Sequence, residues 1–130
     1  MDKVTKITLD ELMRRKEQIL EEKRKKKTCE LYIESLGGTI TVKEPDRVLV
    51  NDCRAMKNGA GDIYLLYQCV VEPNLKSTQL QSEFECTEPT EIVDKIFLAG
   101  EIGQISIEIL KLAGYTGSSV QRINNDIKNS

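Results

Sequence analysis

Between Asp62 and Val71 the chain reads DIYLLYQCVV, a run that is apolar on nearly every side. A segment of this kind has no face to offer to water, so it should be the most buried part of the molecule, with the other elements arranged around it. Length and the aspartate placed to cap it predict a helix over Ile63–Val71. The Ile, Tyr and Val content would equally suit a central strand, and periodicity does not separate the two. The run stops at Glu72-Pro73-Asn74, where proline biases the preceding residue away from helical geometry and asparagine is a natural turn residue. This stretch is read as a joint. Leu75 should anchor the turn on the core, and Ser77 can cap a short segment through Leu80 and Phe84. A ligand site would need convergent polar groups, which the stretch does not offer.

Upstream, Thr8-Leu9-Asp10-Glu11 fits a capping box, with Ile7 and Leu12 placed for a hydrophobic staple, so a helix should begin near Leu9. Leu9, Leu12, Met13, Ile19 and Leu20 recur at helical spacing and form one narrow apolar face, interrupted by Lys16. Past Leu20 that face disappears into Glu21-Glu22-Lys23-Arg24-Lys25-Lys26-Lys27, where acid and base can pair across one turn and cations suit a helix C-terminus. The helix is expected to project into solvent. In ELYIESLGGTITVKEP, Leu31, Ile33, Ile40 and Val42 alternate with polar positions around Gly37-Gly38, which predicts a β-hairpin. A two-residue glycine turn would set Ile33 opposite Val42 and Ser35 opposite Ile40. Pro45 ends the second strand, and Asp46 can cap a short helix with Leu49, Cys53 and Met56 on one face, although Val48 and Val50 leave a third strand open. Asn58-Gly59-Ala60-Gly61 should break that helix.

Downstream, Ile92, Val93, Ile96 and Phe97 form a stripe after Pro89, and Gly100 is placed to stop it. Ile102, Ile105, Ile109, Leu112 and Ala113 mark a longer helix with Gly114 as its stop. Val120, Ile123 and Ile127 make a weak final stripe. The expected fold is α+β, mostly α: a single small domain with an N-terminal helix, one β-hairpin and a packed set of C-terminal helices. The boundaries are 1–28 for the projecting helix, 29–44 for the hairpin, 45–115 for the helical core and 116–130 for a weak C-terminal helix or tail.

Charge and chemistry narrow the function. With 19 Lys and Arg against 21 Asp and Glu the formal charge is -2, so there is no global field to attract nucleic acid or an anionic membrane. Neither is expected as a partner. The start of the chain lacks the apolar core of a signal peptide and no stretch is long enough to span a bilayer, which predicts a cytoplasmic protein. Cys29, Cys53, Cys69 and Cys86 lie far apart, and with no histidine in the chain neither a zinc site nor an activated thiol is indicated. Reduced thiols packing as small hydrophobes are expected, and no cofactor. Neighbouring acids such as Glu83 with Glu85 or Glu88 with Glu91 are ordinary solvated surface. Gly100-Glu101-Ile102-Gly103 is a bare G-x-x-G with an acid where a nucleic-acid clamp wants a base. The Lys23 to Lys27 run has no interleaved aromatics and reads as a solvated helix end. What remains is the stripe of Leu9, Leu12, Met13, Ile19 and Leu20, which can dock in a partner's groove or pack along its own domain.

The order of these segments resembles the XkdN-like phage tail assembly chaperones of PBSX-type prophages and contractile-tailed phages of Gram-positive bacteria. The resemblance rests on a Leu-x-x-Arg-Arg-Lys helix with a lysine-rich end, then ELYIESLGGTITV, YLLYQCVVEPNL, EPTEIVDKIFLAGEI and KLAGY. It implies a non-enzymatic factor of the host cytoplasm, absent from the mature particle, that binds the tape measure protein and helps recruit tail tube subunits. Self-association is a further expectation, and a structural tail or baseplate component or a small DNA-binding regulator are the alternatives. The resemblance also implies a second, longer product made by a backward ribosomal slip: Ile127-Lys128-Asn129 can be encoded as ATA-AAA-AAT, so an overlapping frame past Ser130 is expected.

Overall fold

The computed structural model describes residues 5–115, 117 and 119–123. Helices α1 (Leu9–Arg14) and α2 (Lys16–Arg24) are followed by strands β1 (Thr28–Ile33) and β2 (Gly38–Lys43) and by helices α3 (Arg47–Ala55) and α4 (Ala60–Cys69). Strand β3 (Val70–Glu72) and helices α5 (Thr78–Glu83), α6 (Glu91–Ile96) and α7 (Ala99–Leu112) complete the described chain. The fold is α+β and mostly α, as expected, with one small antiparallel sheet in the order β1-β2-β3.

The apolar run is both things the sequence allowed. It is helical through Cys69, and then Val70-Val71-Glu72 extends as β3 and pairs with β2, Val70 opposite Val42 and Glu72 opposite Thr41, with Val71 bulged between them. The third strand thus comes from this run. Val48 and Val50 lie on α3 instead, started by Asp46, whose carboxylate accepts the Leu49 N–H at 2.8 Å. Helix α4 packs against α3, α6 and α7, and its Leu65, Leu66 and Cys69 meet Val42, Leu75, Ile92, Val93 and Ile109 in one core. Asp62 does not cap α4. Gly59, at φ +78, holds the N-cap position, which moves the helix start ahead of the acid and leaves the Asp62 carboxylate to accept the Ser106 hydroxyl of α7 at 2.9 Å. Gly61 follows because a Cβ there would overlap the Cys53 carbonyl of α3.

The hairpin keeps its predicted face but not its register. Cys29 faces Val42, Leu31 faces Ile40 and Ile33 faces Gly38, so Ser35 falls in the loop. The connection is four residues, Glu34 to Gly37, because the Ile33 carbonyl accepts both Leu36 and Gly37 N–H groups and Gly37 takes φ +67 to close the turn. The displacement is even, so the apolar residues still point into the core.

The helix of residues 1–28 is shorter than expected. It is interrupted at Arg15 and ends at Arg24, because Lys27 already pairs with the strand: Glu44 N–H donates to the Lys27 carbonyl, and Lys27 N–H to the Glu44 carboxylate, each at 2.8 Å. Nor does Gly100 stop α6. The chain leaves the helix at Phe97, and Glu101 reaches back to accept the Leu98 N–H at 2.9 Å, so α7 begins at Ala99 with Gly100 inside its first turn. Gly114 does stop α7: at φ +80 it donates to the Lys111 carbonyl while Tyr115 donates to that of Leu110. Val120 and Ile123 are not helical, and Ile127, like the 127–129 segment, lies outside the described residues.

Candidate functional site

The Thr8 hydroxyl accepts the Glu11 N–H at 3.2 Å and starts α1. The reciprocal half of the capping box is missing, because the Glu11 carboxylate turns along the helix to Arg14 and Arg15. Ile7 and Leu12 are both about half exposed, so the expected staple does not shield them. The five stripe residues are all open to solvent: Leu9 72%, Leu12 47%, Met13 59%, Ile19 37% and Leu20 56% exposed. Neither α1 nor α2 contributes a buried residue.

The helix is held to the body at its far end, by the Lys27–Glu44 pair. Between α2 and the body lies an open cleft of about 750 Å³. Arg15, Ile19 and Lys23 form its outer wall, and the Pro45–Arg47 turn with the end of α7 around Lys111 and Tyr115 forms the inner one. Ile19 therefore belongs both to the stripe and to the cleft. This cleft has no sequence signature, because Arg47 and Lys111 reach it only through the packing of α3 and α7 against α4.

Elsewhere several polar groups serve the fold. The Glu91 carboxylate accepts the Thr87 and Glu88 N–H groups at 3.0 and 3.1 Å and so opens α6. Glu101 binds the Leu98 N–H and the Ser35 hydroxyl, the former chiefly holding its carboxyl below the usual range. Burial pushes the Cys69 thiol up to about 11 and raises Cys29 and Cys53 as well, the opposite of what a nucleophile needs. All four cysteines are free thiols. Among the described residues no group of three or more Cys, Asp or Glu is placed to hold a metal, and no helix is long and apolar enough to cross a membrane. The Val71–Leu75 stretch behaves as a joint: Leu75 is fully buried, Asn74 accepts the Lys76 N–H at 3.1 Å, and Ser77 caps α5 through the Leu80 N–H at 3.1 Å.

A family model described as phage XkdN-like tail assembly chaperone protein matches residues 54–128. The chain belongs to the XkdN-like tail assembly chaperone family. In this chaperone the match starts at the end of α3 and runs through the α4 hub, β3 and α7. The N-terminal helix and the hairpin precede it, so the exposed stripe lies outside the part by which the family is recognised. Comparisons with curated proteins and with solved structures give no match.

Proposed function

We propose that this chaperone is a non-enzymatic factor of the host cytoplasm that binds the tape measure protein of a contractile-tailed phage or prophage. In this reading it helps recruit tail tube subunits and leaves before the particle is complete. The observation that carries the reading is the N-terminal helix with five apolar side chains exposed and none buried. A long helical partner with repeating apolar edges would aggregate if bare, and a small subunit with a narrow apolar seam can cover such an edge and still release it. The chemistry of the rest of the molecule agrees, since Glu91 and Glu101 open helices and burial raises the Cys69 thiol.

The test is capture of a tape measure fragment by the purified chaperone. Leu12→Asp with Met13→Asp should abolish capture while leaving the melting temperature unchanged, because both side chains are solvent-facing. Normal capture by the folded double variant would place the interface elsewhere. Detection of the chaperone in purified mature particles would favour a structural tail or baseplate component instead.

A further inference from the structure

The charges of this molecule are unevenly divided. Residues 1–27 hold ten of the 19 Lys and Arg and six of the 21 Asp and Glu, so they carry +4 and the remainder carries -6. The cleft beside α2 concentrates the positive part: Arg15, Lys23, Lys26, Lys27, Arg47 and Lys111 line it against three acids, Glu22, Glu44 and Asp46. Two of those acids are already engaged, Glu44 with the Lys27 N–H and Asp46 with the Leu49 N–H. Lys23, Lys26, Lys27 and Arg47 make no ion pair among the described residues, whose ion pairs all join neighbours one helical turn apart. Six cations against three acids leave the cleft an excess of three positive charges, and an anionic partner offsets that excess.

Resting on the reading of the N-terminal helix as the binding element, we propose that the segment it takes is an acidic amphipathic helix. The apolar edge of that helix lies along Leu9, Leu12, Met13, Ile19 and Leu20. One of its flanks carries Asp and Glu side chains toward Lys23, Lys26 and Arg47, with Ile19 at the lip where the two surfaces meet. The seam is narrow, with Leu12 and Met13 three and four residues after Leu9, and Ile19 and Leu20 six and seven after Met13, which suits one helix rather than a strand or a broad face. A second copy of this chain is a poorer fit. The carboxylates along its own α7, Glu101 and Glu108, are bound to the Leu98 N–H with Ser35 and to Lys111.

Two synthetic helical peptides with identical apolar positions, one flanked by Glu and one by Lys, are titrated into the full chain by fluorescence anisotropy. The Glu peptide should bind about tenfold more tightly at low salt, the advantage shrinking as ionic strength rises toward about 0.5 M. Lys23→Glu with Lys26→Glu and Arg47→Glu should invert the preference with an unchanged circular dichroism spectrum. Should that triple variant fail to fold, Lys26→Gln, at an exposed position, should by itself weaken the Glu peptide about threefold. Equal binding of both peptides, or a preference for Lys, overturns the proposal. So does self-association of the chain, seen by sedimentation velocity, that the triple variant abolishes. If Leu12→Asp with Met13→Asp still abolishes capture while the charge variants do not alter it, the helix remains the binding element and only the acidity of its partner falls.

Discussion

Leu75 and Cys69 show how much single positions decide. Leu75 is fully buried at a turn, so Leu75→Ala should cost about 3 kcal/mol in chemical denaturation, whereas Glu72→Ala, on the exposed part of the same joint, should change stability and tape measure capture little. A large loss of capture in a stable Glu72→Ala protein would turn the joint into a site. The Cys69 thiol, also fully buried, is held protonated up to about 11, against 9.0 for a free thiol. Its folded value lies above its unfolded one, so this contribution is intact below about pH 9 and is lost as the pH climbs through about 11, on the order of 2 kcal/mol. Denaturation at intervals from pH 8 to 11 should show stability falling more steeply for the native chain than for Cys69→Ala. Parallel curves would mean that the thiol does not titrate with unfolding.

Among the elements, those whose start is written within four residues were legible: Thr8 before α1, Asp46 before α3 and Ser77 before α5 each cap as their spacing implies. Other starts and registers were not, whether the deciding partner is distant, as for β3, or local, as for the hairpin loop and α7. β3 exists because β2 offers an edge to Val70–Glu72, the hairpin register follows a loop that folds on its own carbonyl, and α7 starts where Glu101 reaches back rather than where a glycine sits. Equal caps should also differ in effect. Asp46→Ala should lower global stability by about 1 kcal/mol, since α3 packs on α4, while Thr8→Ala should leave the unfolding midpoint unmoved, since α1 buries nothing. Equal losses from the two would show that α1 is part of the cooperative unit.

At the scale of the whole molecule, the stripe of the N-terminal helix was legible but what covers it was not, because an apolar face looks the same whether its cover lies in the same chain or in another. The cleft was invisible in the sequence for the reason that Arg47 and Lys111 meet only in the folded body. Because the core is built from residues of the sheet and of α4, α6 and α7, removal of residues 1–26 should leave a protein that melts within a few degrees of the intact chain, read by calorimetry. A truncated chain that fails to melt cooperatively would contradict the separation of arm and body. The hydrogen bonds that tie that arm to the body at Lys27–Glu44 have a kinetic meaning. Helices α1 and α2, six and nine residues long on either side of the break at Arg15, give an arm of two segments about 9 and 14 Å long, so in the proposed reading a passing rod can be touched before the bulk of the subunit arrives. In the proposed reading such an arm widens the target during diffusional encounter and lets neighbouring subunits meet one rod at slightly different distances, so a coat assembled from it need not match the rod's repeat residue for residue.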